Sequence, residues 1–258
     1  MAMATLLEDR EAVRPLLMRD PIRNSVVIHR VFHEPRFTIA VVDALPDPKA
    51  VLALKPSEAA DEPHQFALHA LDPLAALHVL KAVPKGVCLY HVADELAFPA
   101  VQQVIGVRWW GDAILYRQGP EDFRDVQAHG IEPLDPRFAA KVAKIWAPDW
   151  PAEGYVESRI RRGLNAAICE DGEPVAWYLT HFETDEVVML GFLHVMETHR
   201  RRGYAKTLSC ALAKQAFAKG KVAACHVYTD NEPSIRLMEG LGFRRVVLQA
   251  WGDGVVRA

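Results

Sequence analysis

The sequence predicts an α/β chain in two halves, the second a mixed sheet with helices on both faces. Three observations predict it. Apolar, β-branched runs alternate with helix-period segments along the chain. A polar stretch at 118–130 (QGPEDFRDVQAHG) interrupts that alternation. A long apolar run at 189–196 leads through a basic turn, RRRGYA at Arg200–Ala205, into another helical pattern. The expected organisation is a first domain at 1–120, a linker at 121–130 and a second domain at 131–258.

Taken in order, Leu6, Leu7, Val13, Leu16 and Leu17 have helical spacing, interrupted by Pro15 and stopped by Asp20-Pro21. Val26–Val31 and Phe37–Val42 read as strands, and Val51–Leu54 as a third. The Pro- and acid-rich residues 56–64 read as loop, and Pro73–Lys81 as helix. Val87–His91 is a strand, Glu95–Ile105 a helix despite Pro99, and Trp109–Arg117 a strand with a turn at Gly111-Asp112. In the second half Ile131–Leu134 is a short strand and Asp135–Ile145 a helix, followed by a loop carrying Trp146 and Trp150. Tyr155–Gly163 is helical and ends at its glycine. Asn165–Cys169 and Pro174–His181 flank a hairpin turn at Asp171-Gly172. Glu186–Met196 is apolar throughout, as a central strand covered on both faces would be. Tyr204–Lys219 is a helix with Tyr204, Leu208, Leu212 and Ala216 on one stripe. Val222–Tyr228 is a strand, Pro233–Glu239 a helix and Arg244–Ala250 the last strand.

The composition excludes several classes. Half of the 258 residues are hydrophobic, a quarter are charged and the net charge is -3, so the arginine cluster is local and no general nucleic-acid surface is expected. Cys88, Cys169, Cys210 and Cys225 form no CxxC and read as reduced thiols. Glu8, Asp9, Arg10 and Glu11 stand where a signal peptide needs an apolar core, and no run approaches the ~18–20 apolar residues of a membrane span. The expectation is a soluble cytoplasmic protein, monomer or homodimer, with a small-molecule partner.

The basic turn is built like an anion site. N–H groups of a first helical turn have no intrahelical partner and point outward, and the helix dipole favours negative charge. Gly203 and the small Ala205 let a ligand approach that backbone, while Arg200, Arg201, Arg202 and Lys206 add positive charge. The ligand implied is a phosphate or pyrophosphate.

Arg200, Gly203 and Ala205 fill the three defined positions of the pattern Arg/Gln-x-x-Gly-x-Gly/Ala, and Asn231 and Leu241-Gly242-Phe243 follow at matching distances. This constellation resembles the acetyl-coenzyme A signature of the GNAT superfamily of N-acyltransferases. The string His226–Ser234 (HVYTDNEPS), then Leu-Gly-Phe, together with Val41–Asp47 (VVDALPD), is similar to the glycine N-acyltransferase-like, or FR47-like, branch. The resemblance implies two GNAT-like halves, each a mixed, mostly antiparallel sheet flanked by helices. The first is degenerate, because no match to the coenzyme pattern occurs in it. It implies an acyl-CoA donor, acetyl-CoA before any longer chain, and attack by the primary amine of a small molecule such as an amino acid in a ternary complex. A non-catalytic acyl-CoA sensor or scaffold is the alternative.

By the same resemblance, Val195 with His194 and Met196 lines the acyl-pantetheine arm through main-chain bonds. Residues 201–206, including Tyr204, hold the pyrophosphate, and Asn231 reaches the pantetheine or adjacent backbone. The usual base position, six residues before Val195, is Met189, and the usual acid position, three before Leu241, is Met238. His194 and His226 are the substitute bases, since an imidazole titrates near neutrality; Glu197 and Tyr228 are weaker candidates. His181, His194, His199 and His226 lack metal-ligand spacing, and no metal is expected. Trp146, Trp150 and Trp177 are candidates for the wall of an acceptor pocket.

Overall fold

The computed structural model describes residues 4–42, 47–59, 62–126 and 128–257; part of the Val41–Asp47 string, residues 43–46, lies outside them. The first stretch of chain contains β1 (Thr5–Leu7), α1 (Arg14–Leu17), α2 (Ser25–Ile28), β2 (Thr38–Val42), β3 (Ala50–Lys55) and β4 (His64–Ala70). Next come α3 (Pro73–Val79), β5 (Gly86–Val92), α4 (Phe98–Val104) and β6 (Ile105–Gln118). The remainder contains α5 (Ala139–Trp146), α6 (Glu153–Arg162), β7 (Asn165–Glu170), β8 (Glu173–Glu183) and β9 (Val187–Val195). It finishes with α7 (Tyr204–Ala218), β10 (Val222–Tyr228), α8 (Glu232–Gly240) and β11 (Arg244–Val256).

Two compact units result. One comprises Met1–Leu115, Val227–Asp230 and Val246–Ala258; the other comprises Tyr116–His226 and Asn231–Arg245. The chain therefore does not divide at a single linker, because its final strand belongs with the first unit.

In the first unit the strand order is β1-β2-β3-β4-β5-β11-β6. The first four strands pair antiparallel, β4 and β5 are parallel, and β11 lies antiparallel to β5 from Ala250↔Val92 to Val256↔Gly86. The core joins Leu52, Phe66, Leu68 and Tyr90 to Val79, Leu80 and Val101, with Ala250 and Val256 of β11 among them. Gln249 fastens β11 further: its amide donates to the Arg23 and Ala93 carbonyls, and its oxygen meets His91 Nε2 at 3.0 Å. The strand expected at 244–250 is thus longer than its apolar pattern indicates and serves the first unit rather than the second. Gly252, Asp253 and Gly254 interrupt that pattern, yet the glycines are where the Tyr90 and Ile105 side chains press on the backbone.

Three further expectations are corrected here. Thr5–Leu7 is extended and pairs with β2 rather than forming a helix. Val26–Val31 is helical, running from α2 into a π turn at His29–His33. Val26, Val27, Ile28 and Val31 are all buried, and an apolar run covered on every side carries no period by which strand and helix differ. β6 passes unbroken through Gly111-Asp112, where the glycine admits the Trp109 and Tyr228 rings.

In the second unit the order is β10-β9-β8-β7. Asp171 and Gly172 take positive φ angles of 53° and 77° and make the expected hairpin between β7 and β8. Leu134, Phe138, Val142, Val156 and Ile160 pack on Trp177, Leu179 and Phe192 of the sheet. α7 lies against β7, β8 and β9 outside this cluster. Residues 131–134 contribute only the bridge Glu132↔Ala167 rather than a strand.

The expected linker is docked, not free. The Phe123 ring meets Phe217 edge-on at 5.5 Å, Asp125 pairs with Lys214 at 2.7 Å, and the Arg124 carbonyl accepts from Cys210. The Ala128 N–H donates to Thr207 Oγ1 at 3.2 Å, and His129 packs on Tyr204. Residues 217, 214, 210, 207 and 204 form one stripe along α7, so the segment runs back down that helix to its N-terminus. Among the described residues no helix is long and apolar enough to cross a membrane.

Candidate functional site

The basic turn adopts a geometry suited to an anion. β9 ends at Val195, a short 3-10 turn covers Glu197–His199, and Arg201 and Gly203 then take left-handed φ angles of 62° and 86°. A non-glycine residue in this region costs roughly 1 kcal/mol or more, so Arg201 is held there by its surroundings. Gly203 is the N-cap of α7 and among the described residues no side chain caps the helix, which leaves its first N–H groups for a ligand. Arg200, Arg201 and Lys206 are exposed around this turn.

Arg202 is differently placed. Glu170, at the end of β7, accepts from the Tyr204 hydroxyl at 2.7 Å and pairs with His199 at 3.3 Å and Arg202 at 3.5 Å. The Tyr204 hydroxyl, and after it His199 and Arg202, hold the Glu170 carboxyl below the usual carboxylate range. On the other side His129 Nε2 donates to the Arg202 carbonyl at 2.8 Å, and its ring stands edge-on to Tyr204 at 4.7 Å. Sequence reasoning misses both Glu170 and His129, since neither lies in a motif.

The β9–β10 ladder ends short of this turn. β9 and β10 pair in parallel from Val187↔Val222 to Leu190↔Cys225; beyond that point β9 continues to Val195 and β10 past Cys225. β9 is also bulged. Between the pairs Trp177↔His194 and Leu179↔Gly191, Phe192 and Leu193 stand opposite the single residue Tyr178, and Phe192 has a φ of 59°. A bulge withdraws main-chain groups from the ladder and re-aims them, next to active sites especially. Val195 and Met196, half-buried, follow it, and the Val195 carbonyl accepts from Arg200 Nε at 3.4 Å.

Three histidines lie near the bulge of β9 and the end of its ladder with β10. His194 stacks on Trp177 with centroids 4.8 Å apart, and burial, then the Arg200 charge, lower its pKa. His226 follows the last paired residue of β10 and interacts electrostatically with His181. His181 occupies a second irregularity, in β8 between the pairs Thr180↔Leu190 and Phe182↔Met189. Its Nδ1 is hydrogen-bonded to the Tyr155 hydroxyl at 3.2 Å, and its ring lies 4.4 Å from Phe192 and 5.8 Å from Trp146. Enclosure by these rings, then the His226 and Arg159 charges, drives its pKa down to about 3.

That shift has a sign. The unfolded chain, with an imidazole near 6.5, takes up a proton between pH 6.5 and about 3 that the folded ring refuses. Its stabilising contribution is complete above pH 6.5 and is lost as the pH falls toward 3, by at most about 1.4 kcal/mol per pH unit. We expect the urea midpoint to fall less steeply from pH 7 to 4 in His181→Gln than in the parent. Equal slopes would place the acid sensitivity elsewhere.

The remaining candidates separate. Met189 and Met238, at the usual base and acid positions, are both core residues. Asn231 is given a structural role, its Oδ1 accepting from the Ser234 N–H as the cap of α8. Gly242 sits at φ 95° where Phe243 N–H bonds back to the Met238 carbonyl, so Leu-Gly-Phe closes a helix. Glu197 is exposed, and Tyr228 packs on Trp109 within the first unit. Trp177 is buried core, whereas Trp146 and Trp150 are exposed. Among the described residues no cluster of His, Cys, Asp and Glu is arranged to hold a metal ion.

Known proteins share the family pattern of part of the chain and the fold of the whole. The family model of the FR47-like protein matches residues 165–251. No curated protein matches the chain. Among solved structures, a Drosophila protein superposes with a TM-score of 0.73 at 16% identity, covering 99% of each chain. A GCN5-related N-acetyltransferase from Sphaerobacter thermophilus gives 0.66 at 14% identity, over 100% of this chain and 96% of that one. A tandem GNAT protein of the clavulanic acid biosynthesis pathway gives 0.58 at 13% identity, over 100% and 99%. At these identities the structures establish the fold. Residues 165–251 therefore match the FR47-like family, and the chain as a whole has the tandem GNAT fold.

Proposed function

We propose that this protein is an acyl-CoA-dependent N-acyltransferase that uses acetyl-CoA and acylates the primary amine of a small molecule. One conjunction carries the reading: the left-handed turn at Arg200–Ala205, uncapped among the described residues, follows a strand that is bulged and whose ladder with its parallel neighbour ends at Leu190. The backbone N–H groups of 201–206 would hold the pyrophosphate, helped by Arg200, Arg201 and Lys206. The main chain at His194–Met196 would pair with the pantetheine amides. The coenzyme supplies an activated thioester.

The protein's own task is to place a neutral amine against the thioester carbonyl, stabilise the developing oxyanion and take a proton. N–H groups released by the bulge suit the oxyanion, because such donors are fixed before reaction. His194, whose pKa is lowered, is neutral at pH 7 and able to accept the proton; His226 is the second candidate. The amine nitrogen would add to the thioester carbonyl, the C–S bond would break as the carbonyl re-forms, and the proton lost by nitrogen would pass through the histidine to the departing thiolate. Four free cysteines, three of them buried, fit a reducing compartment, and we place the protein in the cytoplasm.

The buried Met189 and Met238 favour a second reading, a CoA-binding sensor without turnover. Titration calorimetry with acetyl-CoA, followed by a thiol-release assay over a panel of amines, decides. We expect a dissociation constant between about 1 μM and 1 mM, the ordinary substrate range, together with amine-dependent thiol release. Binding without release selects the sensor. Absence of binding overturns both.

A further inference from the structure

Three aromatic side chains form an open triangle beside the bulge of β9. Trp146 closes α5, Trp150 lies in the following loop and Tyr155 is in α6; their ring centroids are 5.9, 5.9 and 6.1 Å apart. They are 36%, 54% and 36% exposed. Large rings gathered at a surface mark recognition more often than stability. The triangle is continuous with the candidate site. Trp146 lies 4.4 Å from Phe192, the left-handed residue of the bulge, and Tyr155 is hydrogen-bonded to His181.

Charge narrows the ligand. From Ile145 to Ser158 the chain carries Asp149, Glu153 and Glu157 and no lysine or arginine. Glu157 pairs with Arg161 at 2.8 Å, while Asp149 and Glu153 are exposed beside the rings in sequence. Aromatic faces attract cations, and neighbouring carboxylates raise the local concentration of cations. The flanking cations are Lys144 and Arg159, and Arg159 donates to the Thr180 carbonyl at 2.8 Å, so an acceptor carboxylate among the rings would meet the acidic residues of the loop first.

We propose that the triangle of Trp146, Trp150 and Tyr155 receives the acceptor, and that the acceptor is a cationic amine bearing an aromatic or flat apolar group and no carboxylate. This rests on the N-acyltransferase reading above and replaces a free amino acid with a narrower class. The amine arrives as an ammonium ion drawn by Asp149 and Glu153. Its ring stacks on Trp150 and Trp146, and its nitrogen reaches toward Phe192 and the bulge of β9.

The test compares 2-phenylethylamine, ethylamine, phenylalanine and glycine as acceptors at saturating acetyl-CoA. We expect 2-phenylethylamine to show a KM at least ~10-fold below the other three, as one good aromatic contact provides, and Trp150→Ala to erase its advantage over ethylamine. Equal KM values, preference for either amino acid, or undiminished discrimination in Trp150→Ala would overturn the proposal. Quenching of tryptophan fluorescence by 2-phenylethylamine without acetyl-CoA gives a readout independent of turnover. Saturable quenching that Trp150→Ala weakens supports the site, and none refutes it. Failure of acetyl-CoA itself to bind would instead strike the acyltransferase reading.

Discussion

Gly203→Glu is expected to abolish acetyl-CoA binding, with an affinity loss of at least ~100-fold by calorimetric titration. Two causes act together. Gly203 has a φ of 86°, a conformation glutamate adopts only under strain. The new carboxylate would also stand at the uncapped start of α7, where the pyrophosphate is to be held. Like charges about 4 Å apart repel by about 4 kcal/mol at an effective dielectric of 20, enough for two to three orders of magnitude. Gly203→Ala separates the causes, because its Cβ meets His129 Nε2 only at an ordinary 3.5 Å. It should weaken binding by less than ~10-fold, in proportion to backbone strain of about 1 kcal/mol. Unchanged affinity in Gly203→Glu, with the far-UV circular dichroism of the parent, would remove the turn from the coenzyme site.

Gly191→Ala is expected to destabilise the second unit by about 2–4 kcal/mol, as overpacking in an enclosed site does. A Cβ at residue 191 would fall on the His181 ring, nearer than the 3.0 Å that real Cβ atoms keep. Phe192, Trp146 and Tyr155 surround that ring, so it has little room to withdraw. Removing the ring removes the clash. His181→Ala should therefore cost less in the Gly191→Ala background than in the parent, a coupling that urea denaturation of the four proteins measures. Simple additivity would show that the backbone at 191, rather than the ring, is the sensitive element.

The second half of the fold is legible in the sequence because its signals are local. Asp171-Gly172 is a hairpin turn on its own account, and α7 carries its stripe and stopping glycine within a few residues. The basic turn at Arg200–Ala205 is legible for the same reason. Illegible features depend on residues distant in sequence. His181 is unremarkable in VAWYLTHFE; its environment is assembled from α5, α6 and β9. The segment at 123–129 reads as a linker because its polar composition does not reveal that Cys210, Lys214 and Phe217 await it on α7. Phe192 offers no glycine or asparagine to announce a left-handed residue, so the bulge cannot be read from the residues themselves. Val26–Val31 fails oppositely, its burial on all sides erasing the period.

The position of β11 has a consequence for biosynthesis. A ribosome delivers a chain from its N-terminus, and an amino-terminal domain ordinarily completes itself while the rest is still being made. Here the strand that adjoins β5 spans Ala250–Val256, so residues 1–115 remain an unfinished sheet until those residues have emerged. During that interval the β5 edge carries unpaired main-chain groups, a template for mispairing with other nascent chains. Folding of the first unit is thereby tied to synthesis of the second.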